Sequence, residues 1–284
     1  MKLVTFTGGG ASEIGIVEED SVISLSRAAP RLACGMIDLI ARWDAVEGEV
    51  RKTAQSAQRL PLANVRLLAP IPRPGKILAI GLNYADHVKE TGREMPTKQV
   101  WFCKHATAAH GPYDPVFIPK VSAAVDYEAE LVTVIGKGGR YIAKDRAPAS
   151  VFGYCAGNDV SARDWQNATP QWMLGKSFDT HAPFGPWITT ADEVGDPHVL
   201  GVRSFVNGDR RQDSNTRNFI FNVWDQIAYV SQVMTLEPGD LIYTGTPSGV
   251  GMGFSPPRFL KAGDVVRIEI DGLGHLEAPF VPEK

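Results

Sequence analysis

Apolar residues in this chain fall into short runs separated by turn formers. The runs Ile77 to Ile80, Val116 to Ile118, Leu131 to Ile135, Val151 to Ala156, Trp187 to Thr189, Val202 to Val206, Leu241 to Tyr243 and Val265 to Ile270 are rich in β-branched residues. Between them fall most of the 28 glycines and 20 prolines. This pattern predicts strands. Helical spacing shows best from Phe219 to Met234, where Phe219, Val223, Ile227, Val230 and Met234 share a face before the turn Leu236-Glu237-Pro238-Gly239-Asp240. Strict β-α-β alternation is missing, which argues against a doubly wound nucleotide fold. A β-rich α+β protein is expected.

The beginning of the chain reads as a smaller unit. Short strands are predicted at Lys2 to Phe6, Ile14 to Val17 and Val22 to Leu25, followed by helical patterning from Met36 to Gln58. The segment Pro70-Ile71-Pro72-Arg73-Pro74-Gly75 can neither continue a helix nor sit in a central strand. It marks a boundary. The expected division is a small α+β domain over residues 1–70 and a larger domain over 71–284.

Composition narrows the function classes. The 284 residues are 44% hydrophobic and 21% charged, ordinary values for a globular chain. A net charge of -3 gives no electrostatic reason to expect nucleic acid or an anionic membrane as partner. No apolar run is long enough for a bilayer. The segment Met1-Lys2-Leu3-Val4-Thr5-Phe6 lacks the features of a signal peptide, so a cytoplasmic location is expected. Cys34, Cys103 and Cys155 are odd in number and widely spaced, which predicts reduced, mostly buried thiols rather than a disulfide framework or zinc ribbon.

The segment Val125-Asp126-Tyr127-Glu128-Ala129-Glu130-Leu131-Val132-Thr133-Val134-Ile135 carries the strongest chemical signal. Along one strand, Asp126, Glu128 and Glu130 would share a face that Val132 and Val134 continue into the core. Carboxylates packed on a buried face repel, and desolvation adds to the cost. A divalent cation offsets both. Asp159 follows the predicted strand Phe152 to Gly157 and is placed to complete an ion site with Glu128 and Glu130. Pairing of the acids with Arg163 and Lys176, or a solvated edge strand, explains the same pattern.

Other residues offer acid–base chemistry. His87 and Glu90 share a face if Asn83 to Glu90 is helical, and a carboxylate beside an imidazole fixes its tautomer and suits a general base. Lys176 is a candidate cation for an anionic substrate or a developing enolate. Its surroundings, Leu174 to Asp179, are no phosphate loop, because Pro170 stands where that motif needs glycine. The loop Tyr243 to Gly251 would let backbone approach a ligand, with Thr246 offering a hydroxyl, and it is not a serine-hydrolase elbow. The remaining histidines form no zinc spacing.

Five segments in order resemble the fumarylacetoacetate hydrolase family: Gly81 to His87, Asp126 to Leu131, Gly157 to Gln166, Gly175 to Thr180 and Gly239 to Pro247. The likeness runs from about Lys76 to the end of the chain. It implies that family's β-sandwich roll behind a small variable N-terminal domain, and usually a homodimer. It implies Mg2+, or Mn2+ or Ca2+ in its place, on Glu128, Glu130 and Asp159. His87 with Glu90 would be a water-activating dyad on a segment that becomes an ordered lid. Lys176 would assist catalysis, and Gln166, Thr246 and Arg163 would contact the substrate. The chain departs from the founding eukaryotic enzyme in its shorter N-terminal region and in lacking an aromatic residue across Asn167-Ala168-Thr169-Pro170, so fumarylacetoacetate itself is not the expected substrate.

The expected activity is metal-dependent hydrolysis of a carbon–carbon bond in a small 1,3-dicarbonyl or acylpyruvate-type acid. Decarboxylation of an oxaloacetate-like acid and isomerisation of a 2-oxo-diacid share the same electronic step. A non-catalytic binding module would turn over none of these. Specificity is expected to lie in Thr91 to Lys98, Gln171 to Met173 and Ser255 to Arg258.

Overall fold

A computed structural model describes residues 1–32 and 34–284. The strands that matter are β1 (Lys2–Thr7), β2 (Glu13–Glu18), β3 (Ser21–Ser24), β4 (Ile77–Gly81), β5 (Val100–Lys104), β6 (Val116–Ile118), β7 (Ala129–Ile135), β8 (Val151–Asn158), β9 (Ala182–Thr190), β10 (Gly201–Val206), β11 (Asp209–Asn215), β12 (Leu241–Tyr243), β13 (Val265–Ile270) and β14 (Gly274–Pro282). The helices are α1 (Met36–Ala41), α2 (Trp43–Ser56), α3 (Ala85–Glu90), α4 (Arg163–Asn167), α5 (Met173–Lys176) and α6 (Val223–Val230).

The larger sheet has 12 strands, with β3-β2-β1-β9-β8-β7-β12-β4-β5 as its main path. The smaller sheet, of five strands, runs β11-β10-β13-β14-β6. This is the β-rich α+β architecture expected. Strands of the first segment do not stand apart: β1 pairs with β9, with Lys2 opposite Thr189 and Leu3 opposite Ile188. The β-sheet is therefore continuous across the proline-rich stretch, while α1 and α2 cover it with Leu39, Ile40, Val46 and Val50.

Alternation along β7 divides its side chains between two cores. Val132 and Val134 pack with Ile16, Cys155 and Ile188 in one core. Leu131 and Ile135 pack against Val202, Ile268 and Phe280 of the smaller sheet in the other. Every residue of β7 is buried, which fits a strand covered on both faces. Register then fixes the site: Glu130 stands opposite Gly157, Ala129 opposite Asn158, and Val132 opposite Tyr243. The carboxyl-terminal ends of β8 and β12 therefore meet the start of β7.

Three expectations need correction. The helix over Phe219 to Met234 is shorter, because Phe219 bridges Tyr84 in extended form and Asn222 caps the helix at Val223. Asn222 accepts the Asp225 amide while Asp225 accepts the Asn222 amide, a reciprocal cap that periodicity cannot reveal. The segment from Val125 is not one strand: Val125–Asp126 pairs with Ser161–Ala162, the ladder breaks at Tyr127 and Glu128, and β7 begins at Ala129. The cysteines are free, as expected, but only Cys155 is buried, and Cys34 is exposed.

Replacing Asn222 with Ala removes one half of the reciprocal cap. A loss of about 1 kcal/mol in urea unfolding is expected, with the transition otherwise unchanged. No loss would show that tertiary contacts alone start α6.

Candidate active site

Glu128, Glu130 and Asp159 each offer a carboxylate oxygen within 4.8 Å of the others. All three are buried. Local structure delivers them. The Asn158 side chain accepts the Glu128 amide at 3.0 Å, and the Asp159 amide donates to the Glu128 carbonyl at 2.9 Å. The break in the ladder at Tyr127 and Glu128 thus has its own hydrogen bonds. Asp126 leaves the group, as its separate partners require: it accepts Arg163 Nε at 2.9 Å and the amides of Gly251 and Met252 at 2.7 and 3.0 Å.

Three buried cations face these acids. Lys176 Nζ lies 2.7 Å from both Glu128 Oε2 and Asp159 Oδ2. Arg163 Nη1 reaches Glu128 Oε1 at 2.6 Å. Lys104, at the end of β5, donates to Asp159 Oδ1 and to the Val160 carbonyl. Lys104 is the member that sequence reading missed; its only signal was a lysine closing the apolar strand Val100-Trp101-Phe102-Cys103. The expected pairing of the acids with Arg163 and Lys176 is therefore real, and it coexists with the three-carboxylate cluster.

Counting charges shows what is left over. With all four ionised, Asp126, Glu128, Glu130 and Asp159 would carry four negative charges against three positive ones on Lys104, Lys176 and Arg163, one in excess. Glu130 is the acid without a cation partner, so it is the one that takes up a proton when no ion is bound. It accepts the Gly245 amide at 2.8 Å, and no cation bonds to it among the described residues. Burial, followed by the charges of Asp159 and Glu128, pushes its carboxyl well above the ordinary carboxylate range. Burial would also raise Glu128, but Lys176, Arg163 and His87 outweigh it and hold that carboxyl below the usual range. Burial lowers Lys104, whereas for Lys176 the charges of Asp159 and Glu128 outweigh burial and raise it. Three hard oxygen donors with one uncompensated charge suit a divalent cation. The ion would turn the excess into one positive charge, which an acid substrate can answer.

The dyad sits on α3. His87 Nδ1 lies 3.2 Å from Glu90 Oε2, as the i,i+3 spacing predicted. Before it, Leu82 turns the chain with φ of 57°. Asn83 staples that turn: its side chain donates to the Phe221 and Thr244 carbonyls at 3.0 and 2.7 Å and accepts the Phe221 amide at 2.8 Å. The glycine loop after β12 locks the helix from below. The Gly249 amide donates to Glu90 Oε1 at 2.9 Å, and Ser248 donates to Asp86 at 2.9 Å. A Cβ at Gly253 would collide with the Glu90 carboxylate.

His87, Glu128, Glu130, Lys176, Arg163, Gln166 and Thr246 line one cavity of about 30 Å³. Two expected substrate contacts are already engaged. Thr246 Oγ1 donates to the Ala129 carbonyl at 3.0 Å and accepts Gln212 at 2.7 Å. Gln166 Oε1 accepts Arg163 Nη1 at 2.9 Å. Leu82, Thr91, Arg93, Phe102, Asn167, Trp172 and Met252 also face the cavity. Of the expected specificity segments, Trp172, Thr91 and Arg93 contribute, whereas Arg258 instead stacks on Phe254 at 4.5 Å away from it.

Fold and site together describe a sheet-rich α+β protein whose cavity is built around a buried carboxylate cluster. Residues 76–281 match the family described as "Fumarylacetoacetate (FAA) hydrolase C-terminal", and residues 1–70 match one described as "Rv2993c-like, N-terminal". The chain belongs to the fumarylacetoacetate hydrolase family. It is 44% identical over 288 residues to "Oxaloacetate tautomerase fahd2, mitochondrial" of Xenopus laevis, covering 99% of this chain and 90% of that one. A maleylpyruvate hydrolase from Sphingobium sp. SYK-6, solved with manganese(II) and pyruvate, matches all of both chains with a TM-score of 0.84 and 35% identity. A 5-carboxymethyl-2-hydroxymuconate delta-isomerase from Mycobacterium smegmatis does so with a TM-score of 0.80 and 35% identity.

The raised carboxyl of Glu130 has a signed consequence. The metal-free folded protein keeps a proton there that the unfolded chain releases at lower pH. That contribution to stability is present below the ordinary carboxylate pKa and is lost as pH rises through the raised value. Metal-free protein should therefore lose thermal stability as pH rises through this window. Mn2+, which displaces the proton, should restore it. A midpoint that rises with pH and ignores Mn2+ contradicts the assignment of Glu130.

Proposed function

We propose that this chain is a divalent-metal-dependent enzyme that moves a proton on a small 2-oxo dicarboxylic acid of the oxaloacetate type, interconverting its keto and enol forms. The observation that carries this reading is the shared cavity: His87, paired behind with Glu90, opens onto the same space as Glu128 and Glu130. The oxaloacetate tautomerase relative at 44% identity supports the substrate class. Glu128, Glu130 and Asp159 would hold Mg2+, or Mn2+ or Ca2+, and the ion would supply the Lewis acidity that makes the carbon beside the 2-oxo group acidic.

The chain's own groups do the proton transfer. Glu90 accepts from Nδ1 of His87, which leaves Nε2 with the lone pair. His87 takes the proton from carbon and returns it to oxygen, while Glu90 stabilises the imidazolium in between. Lys176 and Arg163 keep Glu128 charged and oriented. Gln166 is placed by Arg163, and Thr246 fixes the floor through Ala129. A cavity of about 30 Å³ holds roughly two waters, so an acid enters only as the cavity widens.

Hydrolysis of a carbon–carbon bond in an acylpyruvate-type acid is the second reading, favoured by the maleylpyruvate hydrolase solved with manganese and pyruvate. There His87 would take its proton from water. Oxaloacetate giving pyruvate and CO2 would indicate a decarboxylase, two acids from an acylpyruvate a hydrolase, and no turnover a binding module. We further propose a cytoplasmic homodimer that docks through the exposed pair Val121 and Trp165, whose indole nitrogen donates to the Val121 carbonyl, and through the exposed Leu174. The described helices include none long and apolar enough to cross a membrane. Residues 1–70 are proposed as a supporting unit, because among the described residues none of those lining the His87 cavity comes from them.

His87→Gln is expected to slow enol–keto exchange of oxaloacetate roughly 100- to 10,000-fold while Mn2+ affinity is kept. Decay of the enol absorbance measures the first and calorimetry the second. An unchanged rate removes His87 from the proton path.

A further inference from the structure

We propose that Arg93 is the specificity residue of this site, taking the carboxylate at the far end of a 2-oxo dicarboxylic acid. The inference rests on the proposed 2-oxo acid chemistry and adds the group that selects a diacid over a monoacid.

Of the cations and histidine lining the cavity, Lys176, Arg163 and His87 already have carboxylate partners. Arg93 lines it too, and its guanidinium has no carboxylate or carbonyl partner among the described residues. It lies instead against the Trp172 ring, 5.2 Å from the centroid. Stacking uses the flat face of a guanidinium and leaves its N–H edge free for the two oxygens of a carboxylate. A lysine could not present that fork.

The arrangement is built. Trp172 meets Phe102 edge to face at 5.6 Å, and a Cβ at Gly81 would collide with its ring. The chain leaves α3 through Gly92, whose φ is +66°. The Gly92 amide donates to Lys89 and the Arg93 amide to Val88, each at 3.2 Å. This paired C-cap fixes the Arg93 backbone against the helix that carries His87 and Glu90. A diacid held by Arg93 is thereby referred to the proton-transfer group itself. The buried charge count agrees: with a divalent ion the cluster carries one positive charge, which answers one carboxylate, and Arg93 answers a second.

The test is binding to the Mn2+-loaded full chain of two inert acids of equal length, 2-oxoglutarate and 2-oxopentanoate, by calorimetry. Wild type should prefer the diacid by roughly 10- to 100-fold. In Arg93→Gln that preference should vanish with 2-oxopentanoate affinity unchanged; Arg93 is exposed, so folding should be preserved. Gly92→Ala, which strains the turn without altering charge, should erode the preference partially. Equal weakening of both acids in Arg93→Gln, or undiminished 2-oxoglutarate binding, overturns the assignment. Wild type that tautomerises oxaloacetate yet binds both acids equally overturns Arg93 alone. A diacid preference lost in Arg93→Gln, in a chain without tautomerase activity, supports Arg93 and sinks only the proposed reaction.

Discussion

Four carboxylates buried beside one another are the constraint around which this protein is organised. Asp126, Glu128, Glu130 and Asp159 are each at most 5% exposed. Their repulsion and lost hydration would unfold a small region unless countered. Lys104, Lys176 and Arg163 counter part of it, and amides of the glycine loop counter more through Glu130 and Asp126. Glu130 is left without a cation, its carboxyl raised by burial, and with Glu128 and Asp159 it forms a group of oxygens that could hold a metal ion.

The same loop ties that cluster to the acid–base helix. Gly245 holds Glu130, Gly249 holds Glu90 and Gly251 holds Asp126, so a single backbone segment ties the carboxylate cluster to the His87–Glu90 pair. Relatives named tautomerase, hydrolase and isomerase share this scaffold with the chain. The proposed tautomerase and hydrolase readings differ only in whether His87 would face a carbon-bound proton or a water. Thr91, Arg93 and Trp172 line the same cavity without pairing with the buried acids.

Much of this was legible in the sequence because its signals are local. The strand runs announced themselves through β-branched residues between turn formers, and period two along Glu128, Glu130, Val132 and Val134 put acids and core on one face. Spacing alone brought His87 to Glu90. What was illegible depends on contacts between distant segments. No local pattern says that Tyr84 will bridge Phe219 and shorten the following helix. Lys104 looks like any lysine until β5 carries it into the core beside Asp159. Thr246 offered a free hydroxyl on paper, but Gln212 of β11 claims it. Asp126 followed the alternation of its neighbours, yet the ladder breaks after it because Arg163 and the glycine loop satisfy it elsewhere.

The most direct measurement is anomalous diffraction from crystals grown with Mn2+. The account predicts one strong peak per chain, bonded to oxygens of Glu128, Glu130 and Asp159, with Lys104 and Lys176 still beside the cluster. Crystals with no peak there, and with Glu130 turned to another cation of the chain, would contradict it.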